Sequence, residues 1–314
     1  MGAQRAEPPG AMADYETIAY EVDGPVARLT LDRPERGNGI TLLMPRELER
    51  AVEAADLDPG VHVIALSGAG TGFCGGYDLE LSAERGMDGL GADGPAGGPL
   101  DPAVQAANHD PSQTWDPVVD LQMMSRNVRG FMSLFHADKP VVCKVHGFCV
   151  AGGTDMALCS DLLVAEDTAK IGYPPARVWG VPTTALWVHR VGLARAKRLL
   201  LTGDAISGAE AAEWGLAAEA PSAADLDERF EALVQRIARV PVNQLVMHKL
   251  LCNSTVHAQG LATTQTLGTV FDGIARHTPE GHAFQARAAE SGFRQAVRDR
   301  DEPFGDAGRS THRG

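Results

Sequence analysis

The stretch KPVVCKVHGFCVAGGTDMALCSD, from Lys139 to Asp161, decides how this chain folds. Its apolar first part predicts a buried strand, the glycines predict a tight turn, and the rest predicts a short helix that carries Asp155 in its first turn. Backbone N–H groups at such a turn can hold negative charge that develops on a ligand, and Gly152 and Gly153 let the ligand approach closely. The alternative is an ordinary strand-to-helix connection in which Asp155 only caps the helix.

A second glycine-rich segment, SGAGTGFCGGYDL at residues 67–79, follows the predicted strand 61–66. A dinucleotide or phosphate loop is a poor match, because the glycine spacing fits neither of the usual phosphate-binding motifs. The segment offers instead a second backbone N–H, that of Tyr77, beside a pair of glycines. Two such donors from separate loops, Tyr77 and Gly152, would form an oxyanion hole.

Four motifs together resemble the crotonase superfamily, which includes enoyl-CoA hydratases and isomerases. They read FCGGYD at 73–78, HGFCVAGGTD at 146–155, SDLLVAEDTAKIG at 160–172 and LTGDAISGAEAAEWGL at 201–216. They follow the order of the family, so the resemblance covers nearly the whole chain. It implies an α/β fold, a spiral of ββα turns with a C-terminal helical lobe that packs into trimers or hexamers. It also implies a coenzyme A thioester as substrate, with no additional cofactor and no metal ion.

The resemblance assigns catalytic positions and exposes a departure from the family. Hydratases of the family use two glutamates, and the first corresponds to Asp155, a carboxylate one methylene shorter. The second corresponds to Pro175, which has no titratable group, and a third carboxylate found in the dienoyl-CoA isomerases corresponds to Thr183. The two-carboxylate mechanism therefore lacks its second acid, and an oxyanion hole with one acid remains.

Three functions stay open at this point. The first is an enoyl-CoA hydratase or isomerase with an altered catalytic apparatus. The second is another reaction of the superfamily, such as hydrolysis of a thioester or of a carbon–carbon bond, which Pro175 favours. The third is an acyl-CoA-binding protein without catalysis.

The positions around Pro175 are candidates for the acyl pocket. Tyr173 and Arg177 flank it and could donate a hydrogen bond or carry positive charge, and Gly153 lies beside the proposed oxyanion turn. Groups that could replace the missing carboxylate are His146, Glu80, Glu84 and His109, although a lone histidine such as His146 is more often structural. Trp179 and Trp187 are expected to pack against the core or a neighbouring subunit.

Binding of CoA is argued only from the resemblance. Relatives hold it with backbone groups of the first oxyanion loop, which correspond here to Cys74, Gly75, Gly76 and Asp78. Arg36, in the first strand-to-helix connection, is a candidate phosphate partner, and a solvated surface arginine is an equally good interpretation. Arg294 and Arg298 are expected to approach the phosphates from the C-terminal lobe or from an adjacent subunit.

Composition limits the class of protein. The 314 residues carry a net charge of −13, which argues against nucleic-acid binding. No apolar run approaches the roughly 20 residues of a membrane helix, and the N-terminus lacks a secretory pattern. A soluble cytoplasmic protein is the expectation. The 5 cysteines form no CxxC pair and are expected to be reduced core residues.

The predicted organisation is a spiral core at 14–220, a helical oligomerisation lobe at 221–305, and tails at 1–13 and 306–314. Within the core, residues 83–120 are rich in Gly and Pro and are expected to form a long mobile loop near the acyl pocket. The predicted strands lie at 17–22, 26–31, 61–66, 141–145 and 162–165, and the predicted helices of the core at 43–55, 121–135 and 154–159.

Overall fold

The structure is a computed structural model that describes residues 15–81, 91 and 93–305. A five-stranded sheet is its largest sheet. Its strands, in spatial order, are β1 (Ile18–Asp23), β2 (Val26–Leu31), β3 (Val63–Gly68), β4 (Val141–Val145) and β6 (Leu162–Ala165). The β1–β2 pair is an antiparallel hairpin, and each later neighbour pairs in parallel. Parallel neighbours need crossover connections, which the helices of the core supply. The α/β fold predicted from the sequence is confirmed.

A smaller, three-stranded sheet carries the glycine turn. It consists of β5 (Phe148–Val150), β7 (Lys170–Gly172) and β8 (Ala205–Ser207), with β7 in the middle. Strand β5 pairs in parallel with β7, and β8 pairs with β7 in antiparallel orientation. Because β5 begins just after β4 ends, the chain passes from the large sheet to the small one immediately before the turn.

The helices follow the predicted order with shifted ends. Those of the core are α1 (Met44–Leu57), α2 (Pro102–His109), α3 (Pro117–His136), α4 (Gly152–Ala157), α5 (Trp187–Val191), α6 (Leu193–Thr202) and α7 (Gly208–Glu213). Those of the C-terminal lobe are α8 (Leu226–Ala238), α9 (Val242–Ala258), α10 (Leu261–Arg276), α11 (Pro279–Ser291) and α12 (Phe293–Asp301). Short 3-10 helices lie at Pro34–Arg36, Pro174–Arg177 and Glu302–Phe304.

The expectation of an unstructured loop over 83–120 is wrong for its second half. Helix α2 and the first turn of α3 lie there, each opened by a proline at the first helical position. The carboxylate of Asp101 accepts the N–H of Ala103, and that of Asp116 accepts the N–H of Val118. Proline is well placed at a helix start, where its missing N–H costs nothing, so a proline-rich composition is compatible with helices here. Residues 83–90 and 92, and the predicted tails at 1–13 and 306–314, lie outside the described residues.

The two faces of the large sheet pack against different layers, as the period-2 alternation of a strand requires. On β3, Ile64 and Leu66 face the main core, which includes Phe73, Cys149 and Met156 of the glycine turns. Val63 and Ala65 face the opposite way and meet Phe230 and Val234 of α8. The sheet thus places the glycine turns against the larger of two cores.

The C-terminal lobe is joined to the core by α8, which packs on the large sheet, and by α10, which packs along α3. Helix α9 presents several large apolar side chains to solvent, among them Met247, Leu250 and Leu251. None of the described helices is both long enough and apolar enough to span a membrane.

Candidate active site

The two glycine-rich segments predicted from the sequence meet in space. Cys74 and Cys149 form a parallel β-bridge, and the N–H of Val150 donates to the carbonyl of Cys74 at 3.0 Å. A side chain at Gly153 would place its Cβ 2.5 Å from the Cys74 carbonyl oxygen, so only glycine fits there. A Cβ at Gly76 would lie 3.4 Å from the nitrogen of Gly152. The backbones of the two predicted oxyanion donors are therefore neighbours.

The turn before α4 is held in an unusual backbone conformation. Ala151 has a φ of 55° and a ψ of −129°, which is costly for a residue with a side chain. Its N–H donates to the carbonyl of Gly172, and its own carbonyl accepts from the N–H and the hydroxyl of Thr154. These bonds fix the turn, so that Gly152 opens the helix directly beside Tyr77.

Tyr77 occupies the other side of this contact. An ideal Cβ on Gly152 would lie 3.1 Å from the Tyr77 ring. The Tyr77 hydroxyl accepts a hydrogen bond of 3.3 Å from the Nδ2 of Asn127 on α3. Burial raises the pKa of the Tyr77 phenol, so this hydroxyl stays protonated. The residue is thereby pinned to the core through α3.

Asp155 lies one helical turn beyond Gly152 and is completely buried. Its Oδ1 accepts the backbone N–H of Thr184 at 3.0 Å and the Thr184 hydroxyl at 2.8 Å. Burial is the largest influence on the Asp155 carboxyl and raises its pKa to about 7, even though the hydrogen bonds from Thr184 lower it. The negative charge of Asp272 adds to the rise. A carboxyl poised near neutral pH can both accept and return a proton.

The segment that would carry the second glutamate has no acid. Pro175 is the second residue of the 3-10 helix at 174–177. Its carbonyl accepts the N–H groups of Val178, Trp179 and Gly180. Tyr173 precedes this helix and is buried, with a pKa raised well above its usual value by burial. Thr183 is also buried, and its hydroxyl has no partner among the described residues.

The structure places Arg177, a candidate for the acyl pocket, in a buried group of ion pairs. Its side chain is about 1% exposed and bonds to the carboxylates of Asp204 and Asp301, at 3.2 and 3.1 Å. The guanidinium also lies 4.0 Å from the centroid of the Phe304 ring. A buried guanidinium needs such partners because an unpaired buried charge is costly. Arg177 therefore joins the end of the C-terminal lobe to the core.

Sequence reasoning missed three charged residues beside the site, on α3 and α10. Arg276 donates to Asp120 at 2.8 Å and to Asp272 at 3.2 Å, and both carboxylates are buried. Asp272 also accepts the N–H of Val181 at 3.3 Å. The available signal was an acid and a base four residues apart in the otherwise apolar segment LGTVFDGIAR, because charges in such a segment are usually paired and buried.

His109, an expected replacement for the missing carboxylate, belongs to this charged group. Its Nε2 faces the Arg276 guanidinium at 3.1 Å, and its Nδ1 faces the Gln105 carbonyl at 2.8 Å. Because arginine can only donate, Nε2 must accept and Nδ1 must carry the proton. Burial and the neighbouring Arg276 lower the pKa of His109, which agrees with a neutral ring.

Two of the other proposed replacements, His146 and Glu80, bond to groups other than Asp155. His146 bonds through Nε2 to the carbonyl of Gly70 at 2.9 Å, which is a structural contact. Glu80 pairs with Arg294 at 2.9 Å, and Glu84 lies outside the described residues. Trp187 is in the main core and Trp179 packs against Phe284, as expected.

A cleft of about 440 Å³ runs along the outside of the first glycine loop. Gly75, Gly76, Tyr77 and Asp78 line it, whereas Cys74 is fully buried and donates its thiol to the carbonyl of Asn38. The predicted cluster 74–78 therefore reaches the cleft only from Gly75 onward. Asp78 is held by Arg33 at 2.8 Å.

Three arginines line the cleft together with three acidic residues, Glu35, Asp78 and Glu80. Arg36 lines it from the 3-10 helix at 34–36, and Arg294 and Arg298 line it from α12. These are the three arginines named from the sequence, and they lie at one cleft although α12 is far away along the chain. Within the described part of the chain, no group of three or more His, Cys, Asp or Glu side chains could hold a metal ion. The five cysteines are free, and four of them are buried, as expected.

Comparison with known proteins shows that this is the fold of the crotonase-type acyl-CoA enzymes. The sequence profile of the enoyl-CoA hydratase/isomerase family matches residues 21–93 and 118–282. The chain belongs to that family.

Individual relatives agree. A crystal structure of an enoyl-CoA hydratase from Mycobacterium smegmatis is 59% identical and superposes with a TM-score of 0.89, over 95% of this chain and 98% of that one. A putative enoyl-CoA hydratase of Mycobacterium tuberculosis is 32% identical over 79% of this chain and 77% of its own length. A 1,2-epoxyphenylacetyl-CoA isomerase of Escherichia coli is 29% identical over 82% of this chain and 87% of its own length.

Proposed function

We propose that this enzyme moves a proton along the acyl chain of a CoA thioester and thus acts as an isomerase of enoyl-CoA rather than as an efficient hydratase. The observation that carries the proposal is Asp155, a buried carboxyl one helical turn from Gly152 with a pKa raised to about 7. Proton transfer is fastest when the pKa of the catalytic group lies near the working pH.

The oxyanion hole in this proposal consists of the backbone N–H groups of Tyr77 and Gly152. The loop pairs with Ile40 through the carbonyl of Gly76 and the N–H of Asp78. Successive N–H groups of an extended strand point in opposite directions, so the Tyr77 N–H is directed away from the Ile40 backbone. Backbone donors of this kind stabilise the negative oxygen of an enolate without any titratable side chain.

The proposed reaction balances with Asp155 alone. Its carboxylate takes a proton from a carbon beside the double bond or the thioester carbonyl. The electron pair of that C–H bond enters the conjugated system, and the negative charge collects on the thioester oxygen. The Asp155 carboxylic acid then returns the proton to another carbon, which moves the double bond. Return to the original carbon exchanges the hydrogen and leaves the substrate unchanged.

Hydration requires more catalytic groups than isomerisation does. It requires an activated water as well as proton delivery, and the family's second carboxylate is absent at Pro175. Thr183 cannot take over, because a hydroxyl is neither an acid nor a base near neutral pH. A single carboxyl that works in both directions is sufficient for isomerisation.

Binding of the CoA moiety is proposed for the cleft beside the first glycine loop. Tyr77 lines this cleft, and so do Arg36, Arg294 and Arg298, whose guanidinium groups suit the CoA phosphates. The enzyme is further proposed to be a homotrimer or a hexamer, and the exposed apolar residues of α9 support that assembly.

Two measurements on one sample test the proposal. A 3-enoyl-CoA is incubated with the enzyme in deuterium oxide, and the conversion to the 2-enoyl isomer and the uptake of deuterium are followed by mass spectrometry. Asp155→Asn is expected to slow both by ~10²–10⁴-fold. Asp227→Asn, which alters an exposed carboxylate with 85% of its side chain accessible, is the matched control and should keep both rates.

Other outcomes would contradict the proposal in distinguishable ways. Release of free CoA would identify a hydrolase. Binding of the substrate without isomerisation or deuterium uptake would identify an acyl-CoA-binding protein. Rapid addition of water to crotonyl-CoA would identify a hydratase that uses a group other than the family's second glutamate.

A further inference from the structure

A four-residue segment separates Asp155 from the C-terminal lobe. We call residues 181–184, Val-Pro-Thr-Thr, the Asp155 strap. On one side of the strap, Thr184 gives its N–H and its hydroxyl to Oδ1 of Asp155. The backbone N–H of Thr183 also interacts with this carboxyl and lowers its pKa. The position and the protonation of Asp155 therefore both depend on where the strap lies.

Helix α10 holds the other side of the strap at three points. The Nε2 of Gln265 donates to the carbonyl of Thr184 at 3.1 Å. Gly268 allows close contact with the carbonyl of Pro182, since a Cβ on it would lie 2.7 Å from that oxygen. The Oδ1 of Asp272 accepts the N–H of Val181 at 3.3 Å. The spacing of 265, 268 and 272 puts all three on one face of the helix.

The last of these contacts is anchored in turn. The other oxygen of Asp272 accepts from Nε of Arg276 at 3.2 Å, and Arg276 also donates to Asp120 of α3 at 2.8 Å. Asp120 and Asp272 are both buried, so the bonds lie where water competes poorly. A continuous series of hydrogen bonds thus runs from α3 through Arg276 and Asp272 to the strap.

We propose that α10 positions the carboxyl of Asp155 from a distance, through the strap, with Gln265 and Asp272 as the positioning residues. The proposal rests on the proposed function to the extent that Asp155 is the proton-transferring group. Neither residue needs to touch substrate. Small displacements of a catalytic group have large effects on rate, so a helix that fixes the strap affects turnover without affecting binding.

The two residues act on Asp155 by different physical routes. Gln265 is uncharged, and its Nε2 donates to the carbonyl of Thr184 and to the Sδ of Met132. It acts on Asp155 by holding Thr184, whose hydrogen bonds stabilise the ionised carboxyl. Asp272 holds Val181 and also carries a negative charge, which disfavours ionisation of Asp155. Four further titratable groups interact with the charge of Asp155, namely Tyr77, Tyr173, Cys149 and Cys159. Burial raises the pKa of each, so these groups stay neutral. The positively charged Arg276 is paired with Asp272.

Two substitutions separate these routes. Gln265→Met keeps the size of the side chain but cannot donate to Thr184, so the strap loosens and the pKa of Asp155 should rise. Asp272→Asn keeps an oxygen for Val181 and removes the charge, so the pKa of Asp155 should fall. Shifts in opposite directions are not expected from general loosening of the fold.

The measurement is a direct titration of Asp155 in the full-length protein. Infrared difference spectroscopy follows the protonated carboxyl, and the Asp155 band is assigned by its absence in Asp155→Asn. Turnover of the 3-enoyl-CoA is measured in parallel, and kcat should fall ~10- to 100-fold with little change in KM. Thr266→Val and Glu280→Gln alter exposed positions of the same lobe and serve as matched controls.

The outcomes are separable from those of the proposed function. An unchanged Asp155 titration in a folded Gln265→Met protein overturns the proposal. Asp272→Asn breaks a buried ion pair and risks misfolding, in which case Gln265→Met alone decides. If the titration shifts as expected but the wild type moves no proton on the substrate, the positioning role stands and the proposed reaction falls.

Discussion

Thr184 directs two hydrogen bonds, from its backbone N–H and its hydroxyl, to a single oxygen of Asp155. Both bonds stabilise the charged carboxylate, and burial opposes them. The balance leaves the group able to change protonation near neutral pH. Thr184 therefore affects both the orientation of the Asp155 carboxyl and its pKa.

The hydroxyl of Thr184 can be removed while the backbone bond remains. In Thr184→Val the pKa of Asp155 should rise by about one to two units, because a hydrogen bond to a charged group contributes roughly 1.5–3 kcal/mol. The lower limb of the pH profile of kcat should move to higher pH by the same amount. Thr266→Val, which removes an exposed hydroxyl on α10, should leave the profile in place. An unmoved profile in Thr184→Val would show that Asp155 does not titrate in the catalytic step.

Gly152 tests the proposed oxyanion hole. Gly152→Pro removes the N–H and is expected to lower kcat by at least ~10²-fold. Gly152→Ala keeps the N–H, and its Cβ would lie 3.0 Å from Ile40 and 3.1 Å from the Tyr77 ring, so these side chains have to shift only by a few tenths of an ångström. The alanine protein should therefore lose much less activity. Equal activity of the two proteins, at equal thermal stability, would remove the Gly152 N–H from the mechanism.

Asp155 should make the stability of the protein depend on pH. Its pKa is about 7 in the folded state against an ordinary value of 3.8, so the folded state holds the proton more tightly. Asp155 therefore contributes stability at low pH, which is lost as the pH rises to about 7. Relative to wild type, Asp155→Asn should become more stable as the pH rises from 5, by about 1.4 kcal/mol for each pH unit up to about pH 7, and the difference should level off above that pH. Denaturant titrations at the two pH values measure this, and a constant difference would contradict it.

Restoring the family's second carboxylate should restore some hydration. Pro175→Glu is expected to raise the rate of crotonyl-CoA hydration, because the group that is missing contributes ~10²–10⁴-fold in enzymes that have it. The three N–H groups that bond to the carbonyl at position 175 do not depend on the side chain, so the 3-10 helix should persist. The gain should disappear when Asp155→Asn is added. A wild-type kcat on the order of 10³ per second for hydration would show that another residue already fills the role.

The proposed assembly can be disrupted at α9. Leu251 is 67% exposed there, beside Leu250 and Met247. Leu251→Glu should convert a trimer or hexamer into smaller species in light scattering, because a buried unpaired charge at an interface is costly. Leu57→Glu changes a leucine that is 74% exposed at the end of α1 and should leave the mass unchanged. A wild-type monomer at micromolar concentration would contradict the assembly itself.

The strands and the glycine turns could be predicted from the sequence because they depend on local patterns. Alternation of apolar residues marks β2, and a strand followed by Gly152 and Gly153 marks the turn. Asp155 was found for the same reason, since its position in the first turn of a helix is a local property. The proline starts of α2 and α3 are local signals too, and they prevail over the high Gly and Pro content of the segment.

The rest of the site depends on contacts between distant parts of the chain. Asp120 and Arg276 are 156 residues apart, and nothing in their local sequence says that they pair. The same holds for Arg177, whose partner Asp301 is 124 residues away. Because Arg177 is close to Pro175 in sequence, it was a candidate for the acyl pocket. Its side chain instead pairs with Asp301 in the C-terminal lobe. Sequence proximity is a poor guide for long side chains, which reach partners on other elements.

The contact of Gly153 with the carbonyl of Cys74 has a consequence for the catalytic cycle. Because the two glycine turns touch backbone to backbone and share a β-bridge, one cannot move without the other. The two proposed oxyanion donors therefore keep their spacing while substrate enters and product leaves.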